Sequence, residues 1–409
     1  MMQLNSDFAM ANHTPGDVLL HQISRAALKL LFENIGINRI QNVLLTGSVA
    51  NGEGTVLEFN SCITASDFDF VITFDLLNFF KYRKHLQTLS EELSDRLLRK
   101  GVSTHVVFLP NTRLLGIGSY FGKSPIYEYE FRFASKSVFG KNPYSKRMGR
   151  PTKRDALELT FTVISELTFL KFRKISKIEE SYVLAKRALT LLNSTLIYFG
   201  IIATTYATRI EIAKKCFSQR GFPLNQTDIS VLEHFTRYKL SSSLNDLMKT
   251  LGFTEIDSLI EFQTEFVRKM TTKVLCFEIM NFTRESSQIN SLTNESYEKQ
   301  IKQSISNLKQ YLLNSKMQNS SRIVGITLYI LEKLSRNKQR EDYFKIFIFH
   351  KQSPKAILNA LTALLFLSED YSCVAEILRE LFPWIKIDDV PLNSLFCLWQ
   401  TAEQSIKLS

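Results

Sequence analysis

Apolar residues recur at helical spacing in two segments near the start of the chain. In Val18–Asn34 they return every three or four positions, which predicts a helix that ends at Gly36. The same spacing over Leu76–Lys100 predicts a longer helix that ends at Gly101. From Arg154 onward most of the chain follows this spacing, so the remainder is predicted to be helical.

Between the two early helices and after them, apolar and polar residues alternate, as they do in half-buried strands. A hairpin around Leu57–Ile63 is predicted between the first two strands. The predicted strands are Gln41–Thr46, Asp67–Phe74, Val102–Leu109 closed by Pro110, and Tyr127–Phe133 continued by Ser137–Phe139.

Glycine usage divides the chain into an early part and a helical remainder. Eleven of the 15 glycines lie in residues 1–150, where turns between short elements need them. The sequence therefore predicts an α+β fold, with a small mixed sheet followed by an all-α region. The predicted domains are 1–150, 151–290 and 291–409, and the last of these has no assigned role.

One uncharged segment, Ala188–Thr208, is long enough to cross a bilayer. It contains Asn193, Ser194 and a central Gly200, so we interpret it as a buried helix broken at the glycine and expect no membrane span. The first residues resemble no secretory signal, and the five cysteines form no CxxC pair. These features favour a cytoplasmic protein.

The chain is basic, with 51 Lys and Arg against 40 Asp and Glu and a net charge of +11. Seven basic residues and no acidic ones lie between Lys136 and Arg154. This stretch is either a solvated loop or a surface that attracts a triphosphate or RNA. Net charge bears on association and not on the type of reaction, and nothing indicates specificity for DNA.

Candidate chemistry is concentrated in residues 43–55 and 66–72. A strand that runs into Gly47 and Ser48 presents backbone N–H groups and a hydroxyl where a phosphate can approach. Asp67 and Asp69 lie two apart on the next hydrophobic strand, so their carboxylates share one face. Two such carboxylates suit Mg²⁺ (or Mn²⁺) together with nucleotide phosphates.

This arrangement resembles the DNA polymerase beta-like nucleotidyltransferase superfamily, closest to its stand-alone bacterial-type members. The resemblance covers about residues 15–145 and rests on Gly47, Ser48, Asp67 and Asp69. It implies a nucleotidyltransferase domain in which the Gly-Ser pair holds phosphates and the aspartates ligate Mg²⁺. The reaction would transfer a nucleoside monophosphate from an NTP to an acceptor, which is RNA, a protein or a small molecule.

The resemblance also implies a helical second domain with a cation that faces the triphosphate. Lys186 is the candidate, with Arg187 as the open alternative. Active members commonly carry a third carboxylate on a later strand, where this chain has His105. His105 is the candidate base, while Glu128 and Glu130 are other possible sources of the acid. A catalytically degenerate protein that binds nucleotide, RNA or a protein partner therefore stays a second hypothesis.

Overall fold

In the computed structural model the chain is an α+β protein, as the sequence predicts. Small mixed sheets form the N-terminal part, and helices form most of the remainder. The structure describes residues 14–59, 62–112, 133–142, 150–170, 172, 175–218, 221–241, 243–284, 297–313 and 354–381.

The N-terminal part contains two sheets and three α-helices in its described residues. Its helices are α1 (Thr14–Ile35), α2 (Gly47–Ala50) and α3 (Leu76–Leu98). Its strands are β1 (Asn42–Thr46), β2 (Val56–Phe59), β3 (Cys62–Ala65), β4 (Phe68–Phe74), β5 (Val102–Ser103), β6 (Val106–Thr112) and β7 (Lys136–Phe139).

The larger sheet has the strand order β6-β4-β1-β7. Strands β1 and β4 are antiparallel, and their register places Thr46 opposite Asp69. Strand β6 runs parallel to β4, with Val107 opposite Asp69. The smaller sheet joins β2, β3 and β5, and its β2-β3 pair is the hairpin that the sequence predicts. The turn after β1 and the start of β4 therefore meet at one end of the larger sheet.

The prediction of a single strand over Val102–Leu109 is wrong in two respects. It is divided into β5 and β6, and β6 continues through Pro110 to Thr112. In the described part of the sheet, β6 pairs only with β4 and is therefore an edge strand. A proline, which has no backbone N–H, is tolerated in an edge strand because that position need not donate a hydrogen bond to a neighbouring strand. The predicted strand at Tyr127–Phe133 lies outside the described residues except for its last position.

One face of the larger sheet is covered by α1 and α3. Phe68, Phe70 and Phe108 are fully buried there against apolar residues of these helices. Burying such large side chains is the main favourable contribution to folding in this region. Because side chains alternate along a strand, Asp69 projects from the opposite face. The helix-covered face thus fixes the strands, and the other face is left for the candidate site.

The helical remainder packs as a layered bundle. Its described helices are α4 (Lys153–Leu170), α5 (Lys177–Tyr198), α6 (Tyr206–Cys216), α7 (Gln226–Ser241), α8 (Leu244–Leu251), α9 (Ile256–Arg284), α10 (Tyr297–Leu313), α11 (Pro354–Ser368) and α12 (Tyr371–Leu381). One buried cluster joins α4 and α9 to α10, α11 and α12. This cluster crosses the predicted boundary near residue 290, and the domain limits themselves stay predictions.

The uncharged segment Ala188–Thr208 contains the end of α5. The helix stops at Tyr198, and Gly200 follows with a φ of +73°, a backbone conformation that favours glycine. Asn193 and Ser194 are buried within the helical layer. Across the described residues, the structure contains no helix that is both long and apolar enough to cross a membrane.

A buried carboxyl group, Glu278, lies where α4, α5 and α9 meet. Its side chain is fully buried, and its Oε1 atom is 2.7 Å from Ser194 Oγ. Ser194 Oγ also lies 2.7 Å from the carbonyl oxygen of Ala156 and 2.8 Å from Thr160 Oγ1. Burial raises the pKa of Glu278 to about 7, although Ser194 and Thr160 oppose the shift.

We expect this group to make stability fall as the pH rises from about 5 to 8. The folded chain keeps a proton on Glu278 that the unfolded chain, with an ordinary pKa near 4.5, has released. The shift corresponds to about 3 kcal/mol lost at high pH. Glu278→Gln should therefore flatten this part of the profile. Urea unfolding of both proteins at pH 5, 6, 7 and 8 measures the difference, and parallel profiles would refute it.

Candidate active site

The turn from β1 into α2 brings backbone close to a carboxylate. Gly47 has a φ of +77°, which a residue with a side chain rarely adopts. A Cβ atom at this position would lie 3.7 Å from Asp69 Oδ2. Thr46 Oγ1 donates to the backbone carbonyl of Asp69 at 3.2 Å. The Gly47-Ser48 turn and the acidic strand are thus adjacent in space, as the two motifs require.

The two aspartates share a face at the start of β4. Asp67 immediately precedes the strand and Asp69 is its second residue. Both are partly exposed, whereas Phe68 and Phe70 between and after them are fully buried. The side-chain alternation predicted from the sequence is therefore present. It places both carboxylates on the face of the sheet that lies away from α1 and α3.

Lys186, from α5, reaches this face. Its Nζ atom lies 3.2 Å from Asp67 Oδ2, across 119 residues of sequence. Desolvation would raise the pKa of Asp67, but the Lys186 ammonium and then His105 hold that pKa below its usual range. The carboxylate in turn raises the pKa of Lys186. The pair is a charged contact between the sheet and the helical layer.

Arg187, the neighbour of Lys186, has a different environment. Its Nε atom lies 2.7 Å from Glu166 Oε2, and both side chains are about four-fifths buried. Successive residues of a helix point about 100° apart, so α5 directs Lys186 to the site and Arg187 toward α4. The two alternatives that the sequence left open are therefore in different places.

His105 immediately precedes β6 and lies beside Asp67. The backbone N–H of Phe68 donates to its carbonyl oxygen at 2.8 Å, and its side chain is exposed. Val107 then pairs with Asp69. Within the described ranges, no group of three or more His, Cys, Asp or Glu side chains could hold a metal ion. Glu128 and Glu130 lie outside the described residues.

The loop after α2 contacts the helical layer through residues whose contacts were not predicted from the sequence. Glu53 is 3% exposed, and its carboxylate accepts the backbone N–H groups of Tyr206 and Ala207 at 2.9 and 3.3 Å. It therefore caps the N-terminus of α6, where a negative charge is favourable. Burial raises the pKa of Glu53 despite these bonds. Asn51, near the start of the same loop, donates to the carbonyl oxygen of Thr204 at 3.2 Å.

Lys239 of α7, like Glu53, is a residue that the sequence analysis did not identify. Its side chain is 1% exposed, and its ammonium contacts Thr55 and Ser66 of the N-terminal part. The helical pattern of the sequence places this lysine among apolar residues, but it does not indicate which residues bind its ammonium group. Those partners lie more than 170 residues away, so only the folded chain brings them together.

The described fold and site define an α+β protein in which two carboxylates lie at the end of a sheet and one of them, Asp67, contacts a lysine of the helical layer. No protein family and no curated protein matches the sequence. Among solved structures, the chain is similar to spectinomycin adenyltransferase AAD(9) from Enterococcus faecialis, crystallised with ATP and spectinomycin. The TM-score is 0.37 at 10% identity, covering 61% of this chain and 99% of that one.

Proposed function

We propose that the chain is a nucleotidyltransferase that moves a nucleoside monophosphate from an NTP to an acceptor and releases pyrophosphate. The observation that carries this proposal is the meeting of Asp67, Asp69, Gly47 and Lys186 at one end of the larger sheet. Carboxylates, a glycine turn and a lysine are the groups that phosphate transfer requires together. The acceptor, whether RNA, a protein or a small molecule, is not specified by these residues.

The donor set fits a divalent cation. Mg²⁺ is typically held by one or two carboxylates and completed by phosphate oxygens and water. Asp67 and Asp69 offer two carboxylates on one partly exposed face. They would hold Mg²⁺ or Mn²⁺, which when bound neutralises phosphate charge and lowers the pKa of a coordinated hydroxyl.

The chain's own residues would bind and orient the nucleotide. The backbone at Gly47 and the Ser48 hydroxyl would hold the terminal phosphates beside Asp69. Lys186 would exchange its contact with Asp67 for a contact with the triphosphate, since both partners are anionic oxygens. His105, exposed beside Asp67, would take the acceptor's proton.

A second candidate function is nucleotide binding without turnover. The observation that favours it is the register of β6, which places Val107 opposite Asp69 and His105 beside Asp67. Neither side chain supplies the third carboxylate that active members of the resembled superfamily commonly have. A protein of this type would bind an NTP or RNA through the same Gly47 turn and Lys186.

The test is turnover of labelled nucleotides. The full chain is incubated with each α-labelled NTP and Mg²⁺ or Mn²⁺, with total RNA, protein lysate or small-molecule extract as acceptor. The variants are Asp67→Ala/Asp69→Ala and, as a matched control, Asp95→Asn on the exposed face of α3. Label transferred by the wild type and the control but not by the double variant supports the proposal. Binding of an NTP or of RNA without product supports the second candidate, and the absence of product and of both kinds of binding refutes both candidates.

A further inference from the structure

The ammonium group of Lys239 is buried in a complete set of acceptors. Its Nζ lies 3.2 Å from the carbonyl oxygen of Glu53 and 3.3 Å from Ser66 Oγ, and it also donates to Thr55 Oγ1. An ammonium has three N–H donors, so these three neutral oxygens satisfy it. Thr55 Oγ1 returns a hydrogen bond of 2.7 Å to the backbone carbonyl of Lys239. The network therefore ties α7 to the loop that follows α2.

Two aromatic rings complete the surroundings of this ammonium. The ring centroids of Tyr182 and Tyr206 lie 5.4 and 5.5 Å from Lys239 Nζ, within the range of cation–π attraction. Tyr182 belongs to α5, and Tyr206 is the first residue of α6. A single charge therefore contacts two further helices and the N-terminal part of the chain.

Both members of the Asp67–Lys186 pair are adjacent to this cluster. Ser66 directly precedes Asp67, and Tyr182 lies one helical turn before Lys186 on α5. Burial raises the pKa of Tyr182, but the Lys239 and Lys186 ammonium groups bring it below its ordinary value, so the phenol is close to both charges. The strand start that carries Asp67 and the helix that carries Lys186 thus converge on Lys239.

We propose that Lys239 is a positioning residue, whose buried ammonium holds the start of β4, which carries Asp67, and helix α5, which carries Lys186, in the arrangement that the reaction uses. Lys239 does not act on the nucleotide itself. Displacements near 1 Å in such a constellation cost about 10²-fold in rate. The effect on catalysis rests on the proposed nucleotidyl transfer, whereas the effect on the Asp67–Lys186 pair does not.

The kinetic experiment compares Lys239→Met with Lys239→Arg and with Lys249→Met, an exposed lysine on α8. Lys239→Met should lower kcat by about 10²-fold and change the KM for NTP much less, because the binding groups remain. Lys239→Arg keeps the charge and should recover part of kcat, and Lys249→Met should match the wild type. The proposal would be overturned if Lys239→Met folds and has wild-type kcat. It would also be overturned if the fall in activity is no larger than the fall in the amount of folded protein.

A second variant guards against failure of Lys239→Met to fold. Ser66→Ala removes one acceptor and leaves Lys239 in place, so we expect a smaller fall in kcat with the chain intact. If Lys239→Met does not fold and Ser66→Ala has wild-type kcat, the proposal is overturned.

An activity-free readout separates this inference from the proposed function. The coupling between Asp67 and Lys186 is measured by a double-mutant cycle of Asp67→Ala and Lys186→Met in urea unfolding. We expect coupling in the wild-type background and its loss in the Lys239→Met or Ser66→Ala background. Unchanged coupling would overturn the positioning role. A wild type without transfer activity but with coupling that depends on Lys239 would refute only the proposed function.

Discussion

Asp67→Asn is expected to lower nucleotidyl transfer by about 10³-fold, because loss of a metal-ligating carboxylate removes several kcal/mol of charge stabilisation. The substitution keeps the side-chain volume, and its amide oxygen can still accept from Lys186. Folding should therefore be nearly unchanged, while Mn²⁺ binding in the presence of NTP weakens. Rates with the labelled NTP identified as substrate, together with Mn²⁺ titration, measure both effects.

The control for this prediction is a carboxylate away from the sheet end. Asp95 on α3 is exposed, and Asp95→Asn removes the same charge from the chain without touching the candidate site. Equal losses in the two variants would point to net charge instead of metal binding. Full activity in Asp67→Asn would contradict the assignment of this carboxylate.

Lys186→Met is expected to lower kcat/KM for the NTP by about 10²- to 10³-fold, as removal of one preorganised charge on a transferring group does. It should also strengthen binding of Mn²⁺ alone, because the ammonium that lies 3.2 Å from Asp67 no longer competes for the carboxylate. The two opposite changes distinguish a phosphate-binding lysine from a purely structural one. Steady-state kinetics and metal titration without nucleotide measure them.

The neighbouring cation provides the comparison. Arg187 is paired with Glu166, so Arg187→Met should reduce stability through the unpaired carboxylate while changing kcat/KM much less. Urea unfolding and kinetics of the two variants are measured side by side. The reverse ranking, with Arg187→Met the weaker enzyme and Lys186→Met close to wild type, would move the triphosphate-binding role to Arg187.

Local sequence pattern was sufficient for the elements that carry the motifs. The alternation around Asp67 and Asp69 predicted a shared face because a strand repeats every two residues. The same alternation accounts for the burial of Phe68 and Phe70 on the opposite face. The strand end at Pro110 was predicted wrongly, because only the position of β6 beside a single partner in the described sheet makes a proline acceptable there.

The sequence by itself determined the α+β fold class, the Gly47-Ser48 turn and the common face of the two aspartates. These depend on backbone periods and glycine conformations that a few neighbouring residues set. The tertiary structure decided which cation of α5 faces Asp67 and which residues join the N-terminal part to the helices. The contacts of Glu53 and Lys239 span 153 to 186 residues, and only the packing of α5, α6 and α7 against the sheet end brings such distant groups within hydrogen-bonding distance.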